Sequence, residues 1–208
     1  MNNEKKKKNK LTEVTTYPVT FSLESNKKNI ISETNTSSNL SKKDIINQAI
    51  NLHLKGNIKK AAESYQYCIN QGFNNPTVFS NYGIILRSLG NLKEAEILTR
   101  KAIEIDPNNT DAYLNLGNIL IDLGKLEEAE LVQRKVIELN PTFAMGYNNL
   151  GNTLKDLGKL EEAELSINRA IELKPDLVIA HCNLGVILKD LGKLEKAKLS
   201  ISKAIKLK

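Results

Sequence analysis

Gly117, Gly151 and Gly185 stand 34 residues apart, and so do Gly124, Gly158 and Gly192. Around them the chain writes nearly one phrase three times: YLNLGNILIDLGKLEEAEL from Tyr113, YNNLGNTLKDLGKLEEAEL from Tyr147 and HCNLGVILKDLGKLEKAKL from His181. The same interval carried backwards reaches Gly83 and Gly90, then Ala49 and Gly56. A period of this size restricts the fold severely. It belongs to supersecondary units that stack on their neighbours and do not close around one central core. The ruler marks five units, 42–75, 76–109, 110–143, 144–177 and 178–208, behind a leading segment, 1–41.

Each unit reads as two helices. In the fourth, Tyr147, Leu150, Gly151 and Leu154 fall on one helical face. Gly158 ends that helix, because glycine adopts the positive φ that helix ends favour. Leu160, Ala163, Ile167, Ala170, Ile171 and Leu173 form the apolar face of the second helix, and Pro175 closes it, as Pro141 and Pro107 do in the preceding units. A single helix pair leaves its apolar face in water, whereas stacked pairs cover one another. Small residues recur at fixed places, such as Gly151, Ala163 and Ala170, or Gly117 and Ala129. Close helix approach explains them, and a larger side chain is expected to overpack the contact by roughly 1–3 kcal/mol. Val136 departs from this rule, and Cys68 fills the same slot in the first unit, where it reads as a small buried hydrophobe. The expected fold class is an all-α solenoid.

The stretch AMGYNNLGNTLKDLGKLEEAELSINRAIELKP, from Ala144 to Pro175, resembles a tetratricopeptide repeat, with an aromatic, Leu-Gly, Leu, Ala, Ala and Pro at that family's spacings. The resemblance runs through 42–208. Its first unit is the most divergent, with Ile45 for the aromatic, Gln48-Ala49 for Leu-Gly and Phe73 in place of Pro. The resemblance implies a right-handed superhelix in which first helices line a concave groove and second helices form the convex back.

Composition narrows the function. The 208 residues are 40% hydrophobic and 26% charged, with no Trp and 5% aromatics, so the core must be mainly aliphatic. Cys68 and Cys182 lie far apart without metal-ligand spacing, which fits a reducing compartment and a cytoplasmic protein. No apolar run approaches the ~20 residues of a membrane span, and the Lys-rich start lacks the apolar stretch of a secretory signal. Basic residues outnumber acidic ones seven to four over 1–41, five to two over 42–75 and seven to two over 178–208, while 76–177 holds 16 acidic against 11 basic. This patchy, Lys-dominated and aromatic-poor pattern argues against nucleic acid as partner. His53 and His181 have no partner at ligand spacing, and adjacent helix residues such as His181 and Cys182 point apart. The glycines match no phosphate-binding loop. The chain is therefore expected to be non-catalytic, without cofactor or metal.

One column invites a functional reading. Asn47, Asn81, Asn115, Asn149 and Asn183 recur at the 34-residue interval, although Asn is a middling helix former. An amide can pair with both the N–H and the C=O of an extended peptide. By the resemblance this column faces the concave groove. The repeat arm of O-linked N-acetylglucosamine transferases, which this sequence particularly resembles, holds peptide backbone with a similar asparagine ladder. The alternative is a hydrogen bond between neighbouring helices. The candidate groove residues are Asn81, Asn115, Asn149 and Asn183, with Asn118 and Asn152 one turn further on, where Ile84 and Val186 stand in neighbouring units. Arg87, Lys155 and Lys189, beside Asp122, Asp156 and Asp190, read as solvated helix charge and not as a carboxylate clamp. Glu127, Glu128, Glu161 and Glu162 suit the dipole at the start of second helices. Three functions fit: a scaffold binding an extended peptide or partner segment, a recruiting arm or remnant of a glycosyltransferase or other transferase, and a self-assembly module.

Two further expectations concern the ends. Residues 1–41 are polar and lack helical periodicity, which predicts disorder. Within them the alternation of Val19, Phe21 and Leu23 suggests a short extended segment that docks on the first unit or in the groove. In the fifth unit Leu199, Ile201, Ala204 and Ile205 keep the apolar pattern, while Lys196, Lys198 and Lys206 replace Glu162, Glu164 and Glu172. That pattern predicts marginal solubility, fraying or self-association through 178–208.

Overall fold

The computed structural model describes residues 41–207. The expectations for residues 1–40, including the extended segment at Val19, Phe21 and Leu23, lie outside the described residues. Within them the chain forms helices α1 (Lys42–Leu54), α2 (Ile58–Asn70), α3 (Pro76–Ser88), α4 (Leu92–Ile105), α5 (Thr110–Asp122), α6 (Leu126–Leu139), α7 (Ala144–Asp156), α8 (Leu160–Leu173), α9 (Val178–Asp190) and α10 (Leu194–Lys206). Among the described residues there is no strand. The architecture is the expected α-solenoid, with each odd-numbered helix followed by its antiparallel partner.

The helix ends follow local rules. At Gly158 the backbone turns to φ +76°, so the Gly158 N–H donates to the Lys155 carbonyl and the Lys159 N–H to that of Leu154. These two bonds satisfy carbonyls that α7 would otherwise leave open. Second helices stop differently: α4, α6 and α8 end two residues before Pro107, Pro141 and Pro175. The first unit lacks that proline and solves the problem with Gly72, at φ +69°, which lets the Phe73 N–H donate to the Cys68 carbonyl at 3.0 Å. Phe73 then packs in the core beside Tyr65 and Val78. At the start of α1, Ser41 and Asp44 cap each other reciprocally.

The cores cross unit boundaries. Leu150, Leu154, Ile167 and Ala170 from α7 and α8 share one cluster with Ala180 and Ile187 from α9. Close approach accounts for the small residues in some units and not in others. A Cβ on Gly151 would lie 2.6 Å from the Ile167 side chain, whereas one on Gly117 would meet Gln133 at an ordinary 3.4 Å. Gly117 is therefore not held small by the contact that holds Gly151. The odd Val136 is matched across the boundary to the next unit. A Cβ on Gly146 would come within 3.2 Å of Val136 Cγ1 and Ile137 Cγ2 and 3.0 Å of Phe143 Cδ1. The units on either side carry Ala112 and Ala180 where the fourth has Gly146, so the extra volume of Val136 is taken up by a missing methyl opposite it. Cys68 is fully buried, as expected of a small hydrophobe, and burial pushes its thiol pKa up.

First helices of adjacent units pack directly, α3 on α5 and α7 on α9. Second helices are bridged instead by long side chains, Arg100 to Glu128 at 2.6 Å and Arg134 to Glu162 at 2.9 Å. This direct packing accords with the inner side that the repeat resemblance implies for the first helices. A further ladder ties each second helix to the start of the next: Lys125 to Glu96 at 2.8 Å, Lys159 to Glu130 at 2.7 Å, and Lys193 to Glu164. The Glu96 and Glu130 side chains are only 13% and 10% exposed. Burial pushes the Glu96 carboxyl up, but hydrogen bonds from Lys125 and Arg100 outweigh it and leave the pKa below its ordinary value. The Lys159 hydrogen bond, joined by Arg134 and opposed by burial, holds Glu130 low as well.

In the fifth unit the structure separates two kinds of exposed residue that the sequence pattern merged. Ile201 is 38% exposed where its counterpart Ile167 is fully buried. Leu199 is no more exposed than Leu165 in the interior unit before it, so its exposure does not come from its place in the last unit.

Candidate functional site

The asparagine column lies along α3, α5, α7 and α9, on the inner series of helices. Asn81, Asn115, Asn149 and Asn183 are all half-buried. Each amide is already partly engaged. Asn115 Nδ2 donates to Ser80 Oγ at 2.9 Å, and Asn183 Nδ2 donates to Asn148 Oδ1 at 2.9 Å. Asn81 Nδ2 donates to the Tyr65 hydroxyl at 3.1 Å. Asn149 Oδ1 accepts only a long bond, 3.4 Å, from the neighbouring Asn148. The ladder thus has a structural half, in which the side chain links one unit to another.

The choice of partner follows from the column one residue before the ladder. A ladder amide reaches back 35 residues, and the side chains met there are Ser80, Leu114 and Asn148 for Asn115, Asn149 and Asn183. Leu114 offers no polar atom, so Asn149 is left with its own neighbour. Asn81 would meet Ile46 and turns instead to the buried Tyr65, whose hydroxyl also lies 3.5 Å from His53 Nδ1. Burial pushes the Tyr65 pKa up and the His53 pKa down, so both stay neutral in this chain of polar groups.

Capacity is left over. Among the described residues, no hydrogen bond engages Oδ1 of Asn81, Asn115 or Asn183, and a second N–H of each amide is likewise uncommitted. One donor and one acceptor per amide match the N–H and C=O of an extended peptide residue. Asn118 and Asn152 are half-buried, and no side-chain hydrogen bond engages them among the described residues. Asn47 is exposed on α1.

A depression of ≈260 Å³ lies between α3 and α5, lined by Thr77, Ser80, Asn81, Ile84, Asn109, Asp111, Leu114 and Asn115. Sequence reasoning did not pick out Ser80, Thr77 or Asp111. The signal was available in the columns beside the asparagines, where a polar residue in one unit faces a ladder amide in the next. Asn75 and Asn109, by contrast, cap α3 and α5 by accepting from the Val78 and Ala112 N–H groups. The charged columns on the first helices pair with each other: Arg87 Nε donates to Asp122 at 2.6 Å across units, and Lys155 lies 3.0 Å from Asp156. Their partly exposed side chains suit the solvated role expected of them.

His181 is buried, and its Nε2 lies 2.9 Å from the Pro175 carbonyl, which fixes that nitrogen as the donor. The ring closes the turn ahead of α9. Among the described residues no group of three or more His, Cys, Asp or Glu gathers in a way that could hold a metal ion. Among the same residues no helix is long and apolar enough to cross a membrane.

Comparison with protein families gives a consistent set of matches. Models described as tetratricopeptide repeat match residues 76–109, 98–130, 133–164 and 178–208, and one described as TPR repeat matches 151–192. Comparison with curated proteins yields no match. Among solved structures, MamA from Desulfovibrio magneticus RS-1 is similar with a TM-score of 0.73 and 22% identity, over 80% of this chain and 94% of that one. YrrB, described as a TPR protein with an unusual peptide-binding site, is similar with a TM-score of 0.70 and 24% identity, over 81% of this chain and 87% of that one. At such identities these likenesses speak to the fold alone.

Proposed function

This chain belongs to the tetratricopeptide repeat family, and from that premise we propose that its inner face binds an extended peptide segment of a protein partner. The fold is a scaffold consistent with protein–protein interaction. The finer reading assigns the contact to Asn81, Asn115, Asn149 and Asn183, with Asn118 and Asn152 flanking them. One observation carries it: the amides of Asn81, Asn115 and Asn183 use part of their hydrogen-bonding capacity between helices and keep the rest, while Asn149 in the same column makes no interhelical bond among the described residues. The peptide-binding site named for the similar YrrB adds to the same reading. The protein acts without catalysis of its own, and its free cysteines, Cys68 and Cys182, suit the cytoplasm.

The test is selection of binding peptides from a random library, followed by calorimetry of the winners. Asn115→Ala with Asn149→Ala is expected to weaken binding at least ~10-fold, the scale of losing one or two backbone hydrogen bonds. Equal affinity for the wild type and the double asparagine variant overturns the reading and leaves the ladder a purely structural device.

A further inference from the structure

On the outer helices one column breaks the rule that exposed positions are polar. Ile97, Leu131, Leu165 and Leu199 occupy the same register in α4, α6, α8 and α10 and are 67%, 69%, 71% and 70% exposed. A single exposed Leu needs no explanation, but four in register form a repeated apolar line down one face. The corresponding residue of the first unit is Glu63, so the line starts at α4.

Its borders are unlike. On α6, Glu127 and Glu128 lie one turn before Leu131, and Arg134 and Lys135 lie one turn after it. On α8, Glu161 and Glu162 precede Leu165 and Arg169 follows it; on α10, Glu195 and Lys196 precede Leu199 and Lys203 follows; on α4, Lys93 and Glu94 precede Ile97 and Arg100 and Lys101 follow. The apolar line therefore runs between a row that is mainly acidic and a row that is mainly basic.

We propose that this face is the interface of a homodimer, two copies packing back to back about a two-fold axis parallel to the apolar line. That operation lays α6 and α8, at the middle of the apolar line, antiparallel on their own counterparts and sets Leu131 on Leu131 and Leu165 on Leu165. It also sets Glu127 and Glu161, for which the described residues show no ion pair, over the basic row of the other copy, while Glu128 and Glu162 stay bridged to Arg100 and Arg134 within each copy. A two-fold axis across the line, in the plane of the same face, would oppose acid to acid and base to base. The charge pattern thus selects one symmetric arrangement and rejects its alternative, as isologous contacts require. It also favours a second copy over a lipid surface, which attracts apolar faces bordered by Lys and Arg and would be repelled by the glutamate row. The groove stays on the opposite face of each copy and remains open for a partner.

The experiment is sedimentation equilibrium of the full chain over about 5–500 μM, a range that brackets modest interfaces. The wild type is expected to form a dimer. Leu131→Glu with Leu165→Glu is expected to weaken it at least ~100-fold with unchanged helix content, since both sites are solvent-exposed in the single copy. Two charge-swapped variants test the axis. Glu127→Lys with Glu161→Lys, and Lys135→Glu with Arg169→Glu, are each expected to lose the homodimer and to recover a mixed dimer when combined. A wild type that stays monomeric overturns the proposal. So does a dimer that survives the leucine changes; if Ile205→Glu then abolishes it, the association runs through the exposed end of α10. Failure of the mixed pair to associate overturns it as well.

Discussion

Replacing Val136 by Ala and Gly146 by Ala, singly and together, tests whether two departures from the repeat pattern compensate each other. Val136 is fully buried, and its loss of two methyl groups costs about 1.6 kcal/mol of transfer free energy. Adding the cavity left behind gives an expected total of roughly 2–3 kcal/mol. Gly146→Ala has two opposed effects. Alanine gains about 1 kcal/mol of helix propensity in α7. Its Cβ, however, falls 3.0–3.2 Å from Phe143, Val136 and Ile137, and such crowding costs roughly 1–3 kcal/mol. The single variant is therefore expected to be neutral or mildly destabilised. In the Val136→Ala background the contact with Val136 is gone while those with Phe143 and Ile137 stay, so the crowding is relieved in part and propensity outweighs what remains. Adding Gly146→Ala there should restore up to about 1 kcal/mol. The coupling energy is then at least ~1 kcal/mol, above the few tenths seen for independent sites. Urea titration followed by circular dichroism measures it, provided the denaturant slope is constant across the four proteins, since repeat arrays can lose cooperativity. Additivity within about 0.5 kcal/mol refutes the compensation and means that α7 simply shifts to accommodate the methyl.

Acid titration probes the interunit ladder. The Glu130 pKa is depressed below its ordinary 4.5, so the unfolded chain takes up the proton first; this stabilisation is complete above that value and is lost as pH falls through the folded pKa. Glu130→Gln should cost about 1–3 kcal/mol at neutral pH and reduce the further loss of stability on acidification below about pH 4.5, as read from urea midpoints across pH. A variant with the wild-type acid profile would show that the ladder contributes nothing. Gly72→Ala places a side chain at φ +69° and is expected to lower stability by about 1–2 kcal/mol in the same titration, although no atom lies within 4 Å of the new methyl. An unchanged midpoint would mean that α2 can end without its left-handed residue.

The helix pairs were legible because their punctuation is local. Gly158 and Pro175 announce helix ends within a few residues, and the apolar period needs only a turn or two of helix to declare itself. Interactions reaching into the next unit were less so. Whether a ladder asparagine is satisfied depends on Ser80, Leu114 or Asn148, each 35 residues away and outside the asparagine column. The Val136–Gly146 fit also crosses a unit boundary, so Val136 read alone is only an exception. Gly72 is hidden in the sequence because the 34-residue interval points to the missing proline at Phe73, one residue later. Leu199 and Ile201 share one apolar pattern in the sequence, and only burial separates the outward leucine column from the inward isoleucine.

The lysine–glutamate ladder also gives the array a grammar. Each of the units carrying Glu96, Glu130 and Glu164 presents an acidic socket to its successor, and Lys125, Lys159 and Lys193 are the plugs those successors bring. An extra copy of the third unit, spliced between the third and the fourth, would meet a socket behind and a plug ahead. The same copy placed after the fifth unit would bring its lysine against Lys198, which stands where the socket should be. By this chemistry the molecule can be lengthened from within, while extension at its fifth unit calls for a joint of a different kind.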